Sequence, residues 1–148
     1  MRVFLILATL VAASLTAGAV QAAEGRRPNI LLIVADDLGY ADLGAYGSDI
    51  RTPNIDALAA EGMLFTQFHT APMCAPTRAM LLSGNNNHVA GMAGQHRNGI
   101  LGHPFPGYEA SLSDRIAPLP RVLRDAGYHT YTVGKWHLGT DAETSPTA

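Results

Sequence analysis

Residues 29–35 read NILLIVA, an unbroken apolar run rich in Ile, Leu and Val. It is too short for a core helix, and it reads as a strand buried on both faces, the kind found in parallel sheets. Such a strand needs neighbours on both edges and helices on both faces, so it commits the chain to an α/β architecture. The remaining pattern agrees. Thr52 as N-cap and Pro53 in the first helical position open a helix whose face is Ile55, Leu58 and Ala59 and which Gly62 ends. Residues 63–69 (MLFTQFH) are strand-like, and Pro76 to Leu82 form a second helix stopped near Gly84. Residues 85–117 carry Gly, Asn, His and Pro without a period and read as a long loop region. Leu119, Val122, Leu123 and Ala126 mark a third helical face, closed by Gly127, and residues 128–133 a third strand. Strand, helix, strand, helix, helix, strand predicts a largely parallel sheet with flanking helices.

The N-terminus constrains the compartment. Arg2 is the only charge before Glu24, Val3 to Val20 is apolar or small, and Val20-Gln21-Ala22 has small residues where a signal peptidase reads them. This is the layout of a cleaved secretory signal over residues 1–22, the competing reading being a membrane anchor. Cleavage leaves about 126 of the 148 residues, one ordinary domain, exported to a periplasm or beyond and with no membrane attachment. A composition that is 47% hydrophobic and 15% charged excludes a disordered chain, and a net charge of −2 excludes the basic stripe that nucleic-acid binding needs. One cysteine, Cys74, rules out an intrachain disulfide. In an oxidising compartment a lone Cys is a partner for another chain, a buried hydrophobe, or a chemically used group.

Three segments carry the chemistry, and each follows a predicted strand. Asp36-Asp37 follow the first, the Cys74 segment the second, and Lys135-Trp136-His137 the third. Ligands bind outside the carboxyl ends of strands in parallel α/β sheets, so the three are expected to converge. Adjacent carboxylates on a loop suit a hard divalent cation such as Ca²⁺ or Mg²⁺, or else a turn cap with a solvated neighbour. With Pro76 in the first helical position, Cys74 is placed just outside a helix N-terminus that attracts anions, and Arg78 lies one turn on. This is a nucleophile beside an anion cradle, or a structural Cys with a surface Arg. Lys135 is the only lysine in the chain. It and His137 are two potential cations two residues apart, or a sheet end with a satisfied His and a surface Lys. His69 and His88 flank the Cys74 segment and have weaker claims, while His96, His103 and His129 read as loop or edge residues.

Taken together, these residues resemble a known family. CAPTRAMLLSG (74–84) resembles the sulfatase signature C-x-P-x-R-x-x-x-L-[ST]-G, with Thr77 where Ser is more frequent. GYHTYTVGKWHLG (127–139) resembles the second sulfatase signature, RPNILLIVADDLG (27–39) the family's first strand and metal-binding pair, and FPGYEASLSDRIAPLP (105–120) the bacterial arylsulfatase branch. The resemblance implies an alkaline-phosphatase-like α/β fold and hydrolysis of sulfate esters. It implies that a formylglycine-generating maturation enzyme oxidises Cys74 to formylglycine, whose hydrated aldehyde attacks sulfur. It further implies Ca²⁺ held by Asp36, Asp37 and the modified Cys74, Arg78 supporting that cluster, and Lys135 and His137 holding sulfate and diol oxygens. The family completes its metal site with a later Asp-Asn pair and adds a further Lys and His, in catalytic domains several times longer. Residues 23–148 are therefore expected to be the N-terminal part of a sulfatase domain, inactive alone. The competing functions are a phosphonate or phosphate ester hydrolase of the same superfamily and a non-catalytic truncated product.

Overall fold

The computed structural model describes residues 27–95, 105–139 and 144–146. The signal reading of residues 1–22, and His96 and His103, lie outside the described residues. The chain divides into two units, residues 1–34 and 35–148. In the first unit the described apolar run is open to solvent, with Leu31 84% exposed. The helices and turns described next belong to the second unit.

Two short 3₁₀ turns, Tyr40–Asp42 and Gly44–Tyr46, occupy the Gly-rich stretch after Asp36-Asp37. Helix α1 (Pro53–Glu61) starts where Thr52 and Pro53 predict, but the Thr52 hydroxyl does not cap it. That hydroxyl instead accepts from the Gly44 N–H at 2.8 Å and donates to the Asp56 carboxylate at 2.8 Å, while the same carboxylate accepts from the Ala45 N–H at 2.8 Å. The start of α1 is thereby tied to the second 3₁₀ turn. Gly44 is required here, because a Cβ would meet the Asp56 carboxylate.

Helix α2 (Cys74–Ser83) begins two residues earlier than the Pro76 rule predicts. Met73 is the N-cap, so Cys74 is the first helical residue and not a residue just outside, and Pro76 is the third. The reason is that every N–H of the first turn lacks an intrahelical acceptor, so Pro is tolerated throughout that turn. Gly84 ends α2 in the left-handed conformation, φ 64°, with its N–H on the Met80 carbonyl at 2.8 Å. Helix α3 (Leu119–Asp125) is shorter than its apolar pattern, which runs on to Ala126 at the C-cap.

The core lies behind α2. Ala75 and Ala79 on its inner face are fully buried and meet Ala90, Met92, Ile116 and Leu138, with Leu82, Leu112 and Trp136 packed at the margin. Loops that the sequence pattern leaves unstructured provide half of this core. They are held by backbone hydrogen bonds from Ala93 to Gly107, Ala110 to Gly91, Ser113 to Ala90 and Leu112 to Leu138, all between 2.8 and 3.2 Å. Two small alanines on the helix let these loops approach closely, and Met92 and Leu138 fill the space.

The expected sheet is not formed among the described residues. No described segment, including 29–35, 63–69 and 128–133, pairs in a ladder, and Tyr131 and Val133 are 90% and 96% exposed. The composition of a buried parallel strand states what the segment needs around it, and those neighbours are not present among the described residues. Ile55 and Leu58, the expected inward face of α1, are likewise exposed. No helix among the described residues is long and apolar enough to cross a membrane.

Candidate active site

Cys74 occupies the first position of α2, where unpaired N–H groups and the helix dipole favour negative charge. Three side chains converge on its sulfur. The His137 Nδ1 is 3.4 Å from Sγ, the Gln95 Nε2 donates from 3.4 Å, and the Lys135 ammonium donates from 3.6 Å. Whether the thiol donates to His137 or receives from it depends on the imidazole tautomer.

Lys135 and His137 reach the same atom because the residue between them faces elsewhere. The Trp136 ring packs against the core and its Nε1–H donates to the Thr144 carbonyl at 2.9 Å. His137 has φ 57°, and Leu138 immediately after it is fully buried. Three described non-glycine residues adopt positive φ: Asp37 (φ 55°), Ala110 and His137. Two of the three are predicted site residues. A left-handed residue of this kind costs of order 1–3 kcal/mol and persists where its surroundings fix it, which is common at working sites.

Asp36 anchors the cations. Its carboxylate accepts from the Lys135 ammonium at 2.7 Å and pairs with the Arg78 guanidinium at 3.5 Å. The hydrogen bond from Lys135 is the main reason that the Asp36 carboxyl is held below its ordinary value of 3.8, partial desolvation opposing it and the Arg78 charge adding to it. Reciprocally, Lys135 is raised above 10.5, chiefly by the same hydrogen bond. Arg78 lies one turn on from Cys74, but its partners are elsewhere. It donates to the Lys135 carbonyl at 2.8 Å, with a side chain only 12% exposed, so it fixes the backbone that presents Lys135.

Asp37 makes no hydrogen bond or ion pair among the described residues, and no group of three or more His, Cys, Asp or Glu side chains gathers there as a metal cage. Ca²⁺ takes six to eight oxygens. Asp36 and Asp37 match that chemistry in kind and fall short of it in number. Of the histidines, His88 stands edge-on to the Tyr108 ring and uses its backbone to bind Asn86 and Arg115, and His69 and His129 are exposed. His137 is the only histidine seen on Cys74 among the described residues. Gln95 is the residue that sequence reasoning missed. It lies in an aperiodic stretch and matches no motif, and the one hint is its place beside the closely spaced Gly91 and Gly94.

The Sulfatase family model matches residues 28–148. The chain belongs to the Sulfatase family. Membership implies the alkaline-phosphatase-like fold that the motifs suggest. The sulfatase chain is 51% identical over 128 residues to a Schizosaccharomyces pombe protein described as an uncharacterized sulfatase, covering 84% of this chain and 23% of that one. It is 47% identical over 124 residues to an arylsulfatase of Klebsiella aerogenes, covering 83% of this chain and 26% of the relative. It is also 44% identical over 115 residues to human steryl-sulfatase, covering 76% and 19%. The chain thus spans about a quarter or less of the length of these curated relatives.

Proposed function

We propose that this chain carries the nucleophile half of a sulfate-ester hydrolase site of the arylsulfatase type, with Cys74 as the precursor of a formylglycine. The observation that carries the reading is the convergence of Lys135, His137 and Gln95 on Sγ at the head of α2. The sulfur marks where the oxygens of the modified side chain would stand. Formylglycine, made there by a formylglycine-generating enzyme, would supply a hydrated aldehyde as the nucleophile on sulfur.

The chain's own residues supply binding and charge. Lys135 and His137 bind sulfate oxygens beside position 74 and offset charge as it moves to the leaving oxygen. His137 exchanges a proton at Nδ1 with the group at position 74. Arg78 holds the Lys135 carbonyl, which keeps the ammonium aimed at the site. Asp36 and Asp37 would hold part of the coordination shell of a divalent ion, Ca²⁺ by the family pattern. That ion would offset the negative charge of the ester. The apolar segments 29–35, 63–69 and 128–133 are each read as a buried strand of the kind found in parallel sheets, and residues 1–22 as the signal that exports the protein to the periplasm or beyond.

The test is peptide mass spectrometry of the exported protein, paired with hydrolysis of 4-nitrophenyl sulfate and a phenylphosphonate ester by the full reading frame. Conversion of Cys74 to the aldehyde and preferential sulfate release are expected. A wholly unconverted Cys74, or faster phosphonate hydrolysis, would overturn the reading.

A further inference from the structure

We propose that Gln95 is a catalytic residue of this site, whose carboxamide binds the reacting group at position 74 and orients it toward the ester. The proposal rests on the sulfate-ester reading above. Gln95 is half-buried, and its Nε2 donates to Sγ from 3.4 Å.

Its position is built rather than incidental. Met92 and Ala93, three and two residues earlier, are buried in the core. The Met92 N–H donates to the Asn87 carbonyl and the Ala93 N–H to the Gly107 carbonyl, both at 2.8 Å. Gly91 has φ 87°, and a Cβ there would collide with the Ser111 carbonyl. Gly94 faces the Tyr108 ring, 3.3 Å from where a Cβ would stand. This stretch therefore delivers Gln95 to the sulfur from a well-held turn, separate from the segment that carries Lys135 and His137.

The chemistry of the three partners differs. Lys135 is also bound to Asp36, and whether His137 donates or accepts depends on its tautomer. Gln95 is the one non-titrating partner of Sγ among the described residues. A carboxamide donates from nitrogen and accepts at oxygen, so it can bind a hydroxyl-bearing group in both senses without adding charge. A carboxylate in its place only accepts, and it repels a sulfate monoester. A thioether does neither. Because Gln95 touches the attacking group rather than the sulfate cradle, its loss acts on kcat more than on KM.

Two measurements test this in the complete protein. With 4-nitrophenyl sulfate, and rates normalised to the matured fraction found by mass, Gln95→Met lowers kcat about 10-fold with KM within about twofold. Gln95→Glu, of nearly the same shape, lowers it by roughly 100-fold. A wild-type kcat in either variant would overturn the proposal. In unmatured protein at one neutral pH, both variants change the rate of iodoacetamide alkylation of Cys74 by about 3-fold or more, because Sγ loses a direct partner. Unchanged alkylation in both would also overturn it. If the wild-type enzyme releases no sulfate, the sulfate-ester reading fails, and alkylation alone decides whether Gln95 engages position 74.

Discussion

Two regions of this molecule have similarly apolar sequences and opposite fates. Around α2, helix and loops close on one another, so that Ala75, Ala79, Ala90, Met92 and Leu138 lose nearly all contact with water. Along 63–69 and 128–133, Met63, Phe65, Phe68, Tyr131 and Val133 remain largely exposed. The difference lies in where each region finds its partners. The α2 core is assembled from pieces joined by loop hydrogen bonds such as Ser113 to Ala90 and Leu112 to Leu138. A parallel strand needs an adjacent strand for its backbone groups and a covering layer for its side chains. Chemistry follows the first region: Cys74, Arg78 and His137 all stand on or beside the closed core, which is why their geometry is defined.

The sharpest test of that assignment is Cys74→Ala in the full reading frame. Aryl sulfate turnover is expected to fall by roughly 10⁴-fold or more, since no other side chain at the head of α2 can become the nucleophile. Retained turnover would detach function from the closed region altogether. Lys135→Ala is expected to lower kcat/KM by about 10²–10³, the scale of losing one preorganised donor at a reacting centre. The comparison itself is tested by Leu138→Ala and Val133→Ala, read by denaturant unfolding. In the present chain the first costs about 2–5 kcal/mol, and the second stays within about 0.5 kcal/mol. In the full-length protein, a Val133→Ala cost rising toward that of Leu138→Ala would mean that the sheet has gained its missing cover, and an unchanged small cost would argue against 128–133 as a buried strand.

Smaller effects come from the acidic pair. Asp36→Ala and Asp37→Ala are each expected to weaken Ca²⁺ binding by calorimetry in the full-length protein, and isotherms identical to wild type for both would remove these residues from the proposed metal site. The pH dependence follows from the Asp36–Lys135 pair. Asp36 is depressed below 3.8, so its contribution is fully present above that value and is lost as pH falls through the lowered folded-state pKa. Lys135 is raised above 10.5, so its contribution is present below that value and is lost as pH rises through the raised pKa. Thermal melts of wild type and Asp36→Asn should therefore differ by a constant, small amount between about pH 5 and 8 and converge at both extremes. A difference that peaks near neutral pH and vanishes by pH 5 would point to a histidine instead.

The legible part of the site was local. Every residue on Cys74 except Gln95 belongs to a motif, because catalytic motifs fix residue types at short spacing. Helices α1, α2 and α3 were legible from Pro, Gly and apolar spacing, with α2 displaced by two residues because Pro76 is tolerated anywhere in the first turn. Gln95 was illegible because its contact with Cys74 spans 21 residues and it lies in an aperiodic stretch. The hydrogen-bond partners of Arg78 and Thr52 were likewise illegible. Spacing puts Arg78 one turn from Cys74, yet its hydrogen bond goes to Lys135, 57 residues away. Spacing also makes Thr52 a cap, yet its hydroxyl holds Gly44.

The sequence by itself determined the family and the residue types of its motifs, since these are properties of side-chain chemistry at fixed separations. Only the tertiary structure decided which groups share an atom. It set Gln95 beside Lys135 and His137 on one sulfur, gave Asp36 two cations, and bent Asp37 and His137 into left-handed backbone. Such contacts depend on how loops close over a core of small alanines, an outcome of packing and long-range hydrogen bonds that no local pattern encodes.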